Sequence, residues 1–291
     1  MKRETAVIAA AIATTVVMWA SAFVAIRAAL QGGYGPVQLA TLRYTIGSVL
    51  LAIFAALRGV RVPQRRDWLS ISLCGIMGFA IYAVLLNTGE MRVAAGTASF
   101  VINTVPIFTA IIAMLFLGER MRIVGWIGLA ISLSGTAILS IRPGSKLSVE
   151  PALLILVAAA IAQATQFVIQ KPLVQRYGAL SVTSWSLWIA TLCLLPFAPA
   201  AVRAIPRATV TASAAVIWLG IAPTVIAYAT WAYATARIPV ARTAAFLYFV
   251  PAIATVIGWL LLGERPTLLG IVGGVIAICG VALVNVPPKR G

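Results

Sequence analysis

Histidine is absent from this chain of 291 residues, and acids nearly so: Glu4, Asp67, Glu90, Glu119, Glu150 and Glu264 are the whole complement. None of the six falls in the middle of an apolar run. A nucleophile–base pair, a carboxylate pair or a zinc set therefore cannot be assembled, and no G-x-S-x-G or phosphate-cradling glycine loop is present. The composition argues against an enzyme and offers no cofactor or metal site. Cys74, Cys193 and Cys279 are the only cysteines and lack C-x-x-C spacing. That excludes a disulfide framework and leaves them as small packing residues. Charge of any sign is scarce, at 10% of residues, where a soluble domain carries about a quarter.

What fills the chain is apolar: 62% of residues are hydrophobic. A membrane-crossing helix needs about 20 consecutive apolar residues. Ten such runs are present, near 5–29, 36–57, 68–89, 94–117, 122–141, 151–172, 180–200, 209–236, 240–262 and 267–286. The strands of a membrane β-barrel would alternate apolar and polar residues over about 10 positions, and unbroken runs such as 152–161 do not. The sequence predicts an all-α integral membrane protein of ten transmembrane helices with short connectors.

The net charge of +16 would suggest nucleic acid in a soluble protein, but here the cations sit in the connectors. With the N terminus inside, cytoplasmic segments hold Lys2, Arg3, Arg58, Arg61, Arg65, Arg66, Arg120, Arg122, Lys171, Arg176, Arg237, Arg242, Lys289 and Arg290. The opposite face holds Arg92, Arg142, Lys146, Arg203, Arg207 and Arg265. The excess on one face follows the positive-inside rule and predicts cytoplasmic N and C termini in a bacterial inner membrane, with no nucleic-acid partner. Lys2-Arg3, an apolar run and Ala20-Ser21-Ala22 imitate a cleaved signal peptide. Loss of that segment would break the symmetry that follows, so it is read as the first span.

Residues 92–121, RVAAGTASFVINTVPIFTAIIAMLFLGERM, align without a gap to residues 237–266, RIPVARTAAFLYFVPAIATVIGWLLLGERP. Pro106 and Pro251 each precede a Gly-Glu-Arg by twelve residues, and Gly125, Gly128 and Gly135 answer to Gly270, Gly273 and Gly280. Two halves are expected, 1–147 and 148–291. Five is an odd number of crossings, so the second half must enter from the opposite face, the inverted-repeat construction of many secondary transporters.

The order of these motifs resembles the drug/metabolite transporter superfamily, in its ten-helix branch with two EamA-type domains. The matching residues are Trp19-Ala-Ser-Ala-Phe-Val in the first span, Leu39-Ala-Thr-Leu-Arg43-Tyr44 in the second, the proline-to-Gly-Glu-Arg segments and the glycine-spaced fifth and tenth spans. The resemblance covers nearly the whole chain. It implies a secondary transporter that exports amino acids or other small metabolites, as YddG-type exporters do, by alternating access through a central cavity. The second half departs from the pattern where Gln163 stands opposite Trp19.

Several side chains are candidates for binding the solute. Gln163, Gln166 and Gln170 recur at helical spacing and share one inward face. They suit a hydrogen-bonding cavity wall or, alternatively, interhelical packing. Arg43 lies seven residues after Pro36, about 10 Å into its span, where a guanidinium costs about 2.5–3.5 kcal/mol. It either meets a solute carboxylate or snorkels outward, and Tyr44 stands beside it. Trp19, Phe23, Tyr82, Tyr228 and Trp231 place aromatic rings deep in their spans. Asn103 and Tyr248 occupy equivalent positions in the repeat and are expected to face a midplane site together. Pro106 and Pro251 break hydrogen bonding midway along their spans and are candidate hinges.

With no acid at mid-depth, the sequence predicts flux down the solute gradient rather than proton coupling. A phosphorylated-metabolite exchanger would want more deep basic residues, and a cationic-drug exporter would want a buried carboxylate. A membrane scaffold or receptor that moves nothing is the alternative of a different class. Glu119 and Glu264 are expected to cap or pair locally beside Arg120 and Arg265. The glycine-rich fifth and tenth spans suit close packing, within a monomer or in a weak homodimer.

Reporter fusions test the orientation. Alkaline phosphatase joined after Lys146 should be active and, joined after Val62 or Arg120, silent; activity after Val62 would reverse the assignment.

Overall fold

A computed structural model describes residues 2–92, 95–140, 151–262 and 268–285. Gly263, Glu264 and Arg265 lie outside the described residues, so the expectation for Glu264 is not addressed. Among the described residues there are helices and no strands. Seven helical stretches are long and apolar enough to cross a membrane, and three shorter apolar helices, Ile123–Ile138, Val240–Ala254 and Ile271–Val284, complete ten. The protein is a multi-pass all-α membrane protein made of two inverted five-helix repeats.

Span 1 is Lys2–Gln31 and span 2 is Pro36–Arg58. Span 3 runs through Trp68–Gly75, a π-helical segment Ile76–Ile81, and Tyr82–Arg92. Span 4 is two helices, Ala95–Ile102 and Val105–Leu117. Span 5 is Ile123–Ser140, span 6 is Pro151–Tyr177, and span 7 begins as Ala179–Leu194. Span 8 passes through Val210–Leu219, a second π-helical segment Gly220–Ile226, and Ala227–Thr235. Span 9 comprises Val240–Ala245, a 3-10 turn Phe246–Tyr248, and Phe249–Leu262. Span 10 is Leu268–Val284. The face at which span 1 begins is called proximal, the other distal.

The interruptions obey the repeat. Spans 3 and 8 are equivalent, and each carries its π-helical segment at the same position. Spans 4 and 9 are equivalent, and each breaks just before its proline. The proline explains the break: it has no N–H to donate, and its ring collides with the carbonyl four residues back. In span 4 the chain turns at Asn103 and Thr104 and restarts with Pro106 at the second helical position. In span 9 the 3-10 turn absorbs the same strain ahead of Pro251. Both prolines interrupt their helices rather than merely bending them.

Two glycines make the matching corners between spans. Gly33 after span 1 has φ 114° and Gly178 after span 6 has φ 85°, conformations that side chains with a Cβ rarely adopt. Each corner is held by the other half. At the distal face Thr209 N donates to Gly32 O at 2.9 Å, and the Tyr34 and Ser213 hydroxyls meet at 2.9 Å. At the proximal face Arg61 N donates to Ser181 Oγ at 3.0 Å and Gln64 N to Tyr177 OH at 3.0 Å. Arg176 pairs there with Asp67 at 2.6 Å, and the Tyr177 hydroxyl donates to the same carboxylate.

Spans 5 and 10 pack on each other. A Cβ on Gly135 would lie 2.4 Å from Ala277 N, and one on Gly128 2.7 Å from Gly280 O. Ser132 Oγ donates across to Ala277 O at 2.9 Å. The small residues of these spans therefore serve contact within one chain. Of the cysteines, Cys74 is buried, whereas Cys193 and Cys279 are exposed on the apolar surface rather than packed inside.

Gly280→Val should loosen this pair, because its Cβ would meet Ser132 Oγ at 2.3 Å and Gly128 O at 2.5 Å. A loss of about 1–3 kcal/mol, typical of overpacking, should appear as a lower melting temperature in detergent. An unchanged melting temperature would mean that the two helices are free to separate.

Candidate solute-binding cavity

The interrupted helices converge on a cavity at the centre of the bundle. Span 1 contributes Trp19 and Phe23, span 2 Arg43, span 3 Tyr82, and span 4 Asn103 beside the break. Gln163 and Phe167 of span 6, Tyr228 of span 8, and Leu247 and Val250 of span 9 close it from the second half. The free volume is about 60 Å³, room for water and little more, so a solute must push side chains apart on entering.

Arg43 is 3% exposed and does not snorkel. Its Nε donates to Thr224 Oγ1 at 2.7 Å, and Thr224 Oγ1 donates in turn to Leu219 O at 2.8 Å inside the π-helical segment of span 8. A guanidinium this deep needs fixed acceptors, and the second half supplies one. Beside it the helix Val105–Leu117 begins at Thr104 with no side-chain cap. Of its first turn, Pro106 has no N–H and the amides of Ile107 and Phe108 donate to Thr104 O at 3.0 and 3.2 Å, which leaves the cavity only the Val105 amide. The positive charge of the cavity is that of Arg43.

Much of the remaining lining is aromatic. Trp19 stacks on Phe167 with ring centroids 5.8 Å apart and meets Tyr228 edge-on at 5.2 Å. Phe167 and Trp231 are 4.3 Å apart, as are Phe79 and Tyr228. Two rings also satisfy the backbone of the π-helical segments. Trp19 Nε1 donates to Pro223 O at 3.1 Å, and Tyr228 OH to Gly78 O at 3.3 Å. Each donation crosses from one half to the other.

The remaining candidates lie outside the lining, for stated reasons. Gln166 sits behind Gln163: a Cβ on Gly78 would touch its Cγ at 2.1 Å, so span 3 covers it. The glutamines form a chain instead, Gln163 Nε2 to Gln166 Oε1 at 2.8 Å and Gln166 Nε2 to Gln170 Oε1 at 2.5 Å. Gln163 Oε1 lies 3.2 Å from Tyr228 OH and shares its single proton with Gly78 O. Tyr44 is fully buried behind Arg43, whose guanidinium carbon lies 5.3 Å from its ring centre, and packs on Phe79. Trp231 supports Trp19 and Phe167 from behind. Tyr248 does not join Asn103 in the cavity; it is buried with Ala110, Leu129 and Val281 against spans 5 and 10. The 3-10 turn that ends at Tyr248 advances 3.0 residues per turn rather than 3.6, which rotates its side chain away from the equivalent of Asn103.

Phe79, Phe167 and Thr224 were not singled out by the sequence reading. Pro223, in the middle of span 8, was the available signal for an interruption near Thr224. Glu119 also departs from expectation. Rather than pairing locally with Arg120, it reaches the second half, accepting from Lys171 Nζ at 2.5 Å and from the amides of Val240 and Ala241 at 3.0 and 3.3 Å. It thereby caps span 9 and ties it to span 6 at the proximal face.

The EamA-like transporter family model matches residues 6–141 and 150–286, one copy over each repeat. The chain belongs to the EamA-like transporter family. A protein of Streptantibioticus cattleyicolor named "Probable terminal-alkyne amino-acid exporter" is 44% identical over 275 residues, covering 94% of this chain and 92% of that one. "Uncharacterized transporter YdfC" of Bacillus subtilis is 37% identical over 281 residues, covering 97% and 92%. A crystal structure of another protein superposes with a TM-score of 0.76 over 94% of this chain and 95% of its own, at 22% identity, a likeness of fold. The EamA relatives are named as transporters rather than as enzymes.

Thr224→Val should leave the Arg43 Nε without its acceptor. A lost hydrogen bond to a buried charge costs about 1.5–3 kcal/mol, so solute exchange should fall about ten-fold, while Thr224→Ser should retain it. Equal exchange by both variants would show that Thr224 does not hold Arg43 for use.

Proposed function

We propose that this EamA-family protein exports amino acids or similar small metabolites across a bacterial inner membrane, with both termini cytoplasmic. Transport proceeds by alternating access through the central cavity, and the repeats 1–147 and 148–291 are the moving units. The observation that carries this reading is the buried guanidinium of Arg43, held by Thr224 in a cavity otherwise walled by the rings of Trp19, Phe167 and Tyr228. An amino acid has two poles. Its carboxylate suits the guanidinium, and its ammonium suits the face of an indole or phenol ring. Gln163 adds an amide that can exchange its bond to Tyr228 for one to the solute.

The relative named as a terminal-alkyne amino-acid exporter supports the same substrate class. A terminal alkyne is narrow, linear and apolar, which agrees with a tight cavity walled by rings. Among the described residues Arg43 is the one guanidinium that lines the cavity, which disfavours phosphorylated metabolites needing a second cation. No described carboxylate lines it, which disfavours cationic drugs; Glu90, half-buried near the distal end of span 3, stands within electrostatic reach of Arg43 and Tyr82. Substrate flow is taken to follow the solute gradient.

The trial is counterflow in liposomes loaded with unlabelled amino acids. Labelled threonine, methionine, phenylalanine, lysine and an alkyne-bearing amino acid are supplied outside, with and without a pH gradient. Saturable exchange of the neutral amino acids, unaffected by the pH gradient and lost in Arg43→Ala, is the expected result. Failure of every amino acid to exchange would sink the substrate class, and exchange driven by the pH gradient would sink the facilitative mechanism.

A further inference from the structure

A second cavity, of about 200 Å³, opens at the proximal face between spans 4, 5, 9 and 10, away from the solute cavity. Arg120 and Arg122 enter it from the connector that follows span 4, and Arg242 from the first turn of span 9. Arg242 is half-buried, whereas Arg120 and Arg122 are exposed. The one acid in its lining, Glu119, is already committed to Lys171 and to two backbone amides. No salt bridge or hydrogen bond engages any of the three guanidinium groups among the described residues. Three like charges held around one hollow repel each other, and among the described residues no free counter-charge lines it.

The positive-inside rule accounts for the sign of these residues and their face. A wider hollow on the same face, about 840 Å³, is also lined by three arginines, Arg58, Arg61 and Arg237. There Arg61 donates to Arg176 O at 3.4 Å and Arg237 is held on the Tyr233 ring and carbonyl, whereas the smaller cavity gathers three guanidinium groups with no such partner among the described residues.

We propose that this cavity binds a phosphate group, presented by an anionic phospholipid of the surrounding leaflet. Guanidinium forks match the paired oxygens of a phosphate, and three of them can hold one group from several sides. The rest of the wall is apolar, formed by Met121, Val124, Leu283 and Val284, and suits the glycerol and first methylenes of a lipid better than a free ion. Its place at the ends of spans 4 and 10 and the starts of spans 5 and 9 is headgroup level. Basic pockets between membrane helices are the sites at which anionic headgroups are held. Free phosphate shares the recognising chemistry, and the experiment separates the two sources.

The site has a consequence for motion. Arg242 rides on the first turn of span 9, which Glu119 caps, so a phosphate bridging Arg242 to Arg120 and Arg122 fastens span 9 to span 4. An occupied site holds the proximal face closed, and an empty one lets span 9 swing more freely.

The test uses the full-length protein purified in detergent and titrated with phosphatidylglycerol, with zwitterionic phosphatidylcholine and with inorganic phosphate, read by native mass spectrometry. Wild type should retain one phosphatidylglycerol in preference to phosphatidylcholine. Arg242→Gln should weaken retention about ten-fold, the loss expected for one charge-assisted pair, and Arg120→Gln with Arg122→Gln should weaken it further. Arg65→Gln with Arg66→Gln removes two charges from the same face and should leave retention unchanged. Size exclusion and melting verify that each variant is folded; Arg242→Gln alone suffices if the double variant is not. Retention unaltered in Arg242→Gln, or lowered equally by the Arg65 and Arg66 changes, would overturn the site. Displacement of the lipid by millimolar inorganic phosphate, or binding of phosphate alone, would keep the phosphate chemistry and overturn the lipid as its source. Binding is read without transport, so the outcome stands apart from that of the counterflow assay.

Discussion

Inside a bilayer there is no water to satisfy a backbone group released from a helix, so every interruption must be answered by the protein itself. Around the cavity spans 3, 4, 8 and 9 are interrupted, and that single constraint organises the centre of the molecule. The π-helical segments of spans 3 and 8 turn carbonyls inward. Tyr228 answers Gly78 and Trp19 answers Pro223, each from the opposite repeat. The rings that wall the cavity are thus the rings that complete the backbone. In the proposed cycle, a ring moved to admit a solute would uncover a carbonyl that the solute's own donors could meet.

The frame is symmetric and the chemistry on it is not. Equivalent π-helical segments, equivalent breaks before Pro106 and Pro251, and equivalent glycine corners build one scaffold twice. Upon it Trp19 stands opposite Gln163 in the repeat, and Asn103 opposite Tyr248. The first pair meets in the cavity and the second is divided between cavity and periphery. In the proposed alternating-access cycle, inverted symmetry would let the two ends open in turn by related motions, whereas a symmetric site would have no preferred pole for a zwitterion. Arg43, the pole proposed for the solute carboxylate, comes from one half and is held by Thr224 of the other.

The proximal ends of the bundle are fastened by charge, the distal corner by neutral hydrogen bonds. Glu119 links spans 4, 6 and 9, and Asp67 links the start of span 3 to Arg176 at the end of span 6. Both pairs lie at the edge of the apolar region, where the cost of desolvating an ion is far smaller than at mid-depth. In the proposed cycle these are the pairs that would have to break for the proximal face to open. The phosphate site proposed beside Glu119 would act on the same joint.

Length and apolarity of the runs, the gapless repeat and the distribution of arginine and lysine were enough to define an all-α membrane protein with two inverted halves. These features obey constraints local in sequence: bilayer thickness sets helix length, and an odd number of crossings sets the inversion. The prolines announced the breaks in spans 4 and 9 for the same reason, since the missing N–H is a property of one residue. The site was legible only in part. Whether Arg43 snorkels or turns inward depends on Thr224, 181 positions away, and nothing in either segment names the other. Asn103 and Tyr248 are equal in register yet point apart, because a 3-10 turn rotates one of them. Glu119 passes over its neighbour Arg120 for Lys171 and the amides of span 9. Sequence by itself determined the helices, their number and their symmetry; tertiary structure alone decided which polar groups meet, because those meetings are set by the rotation and approach of helices distant in the chain.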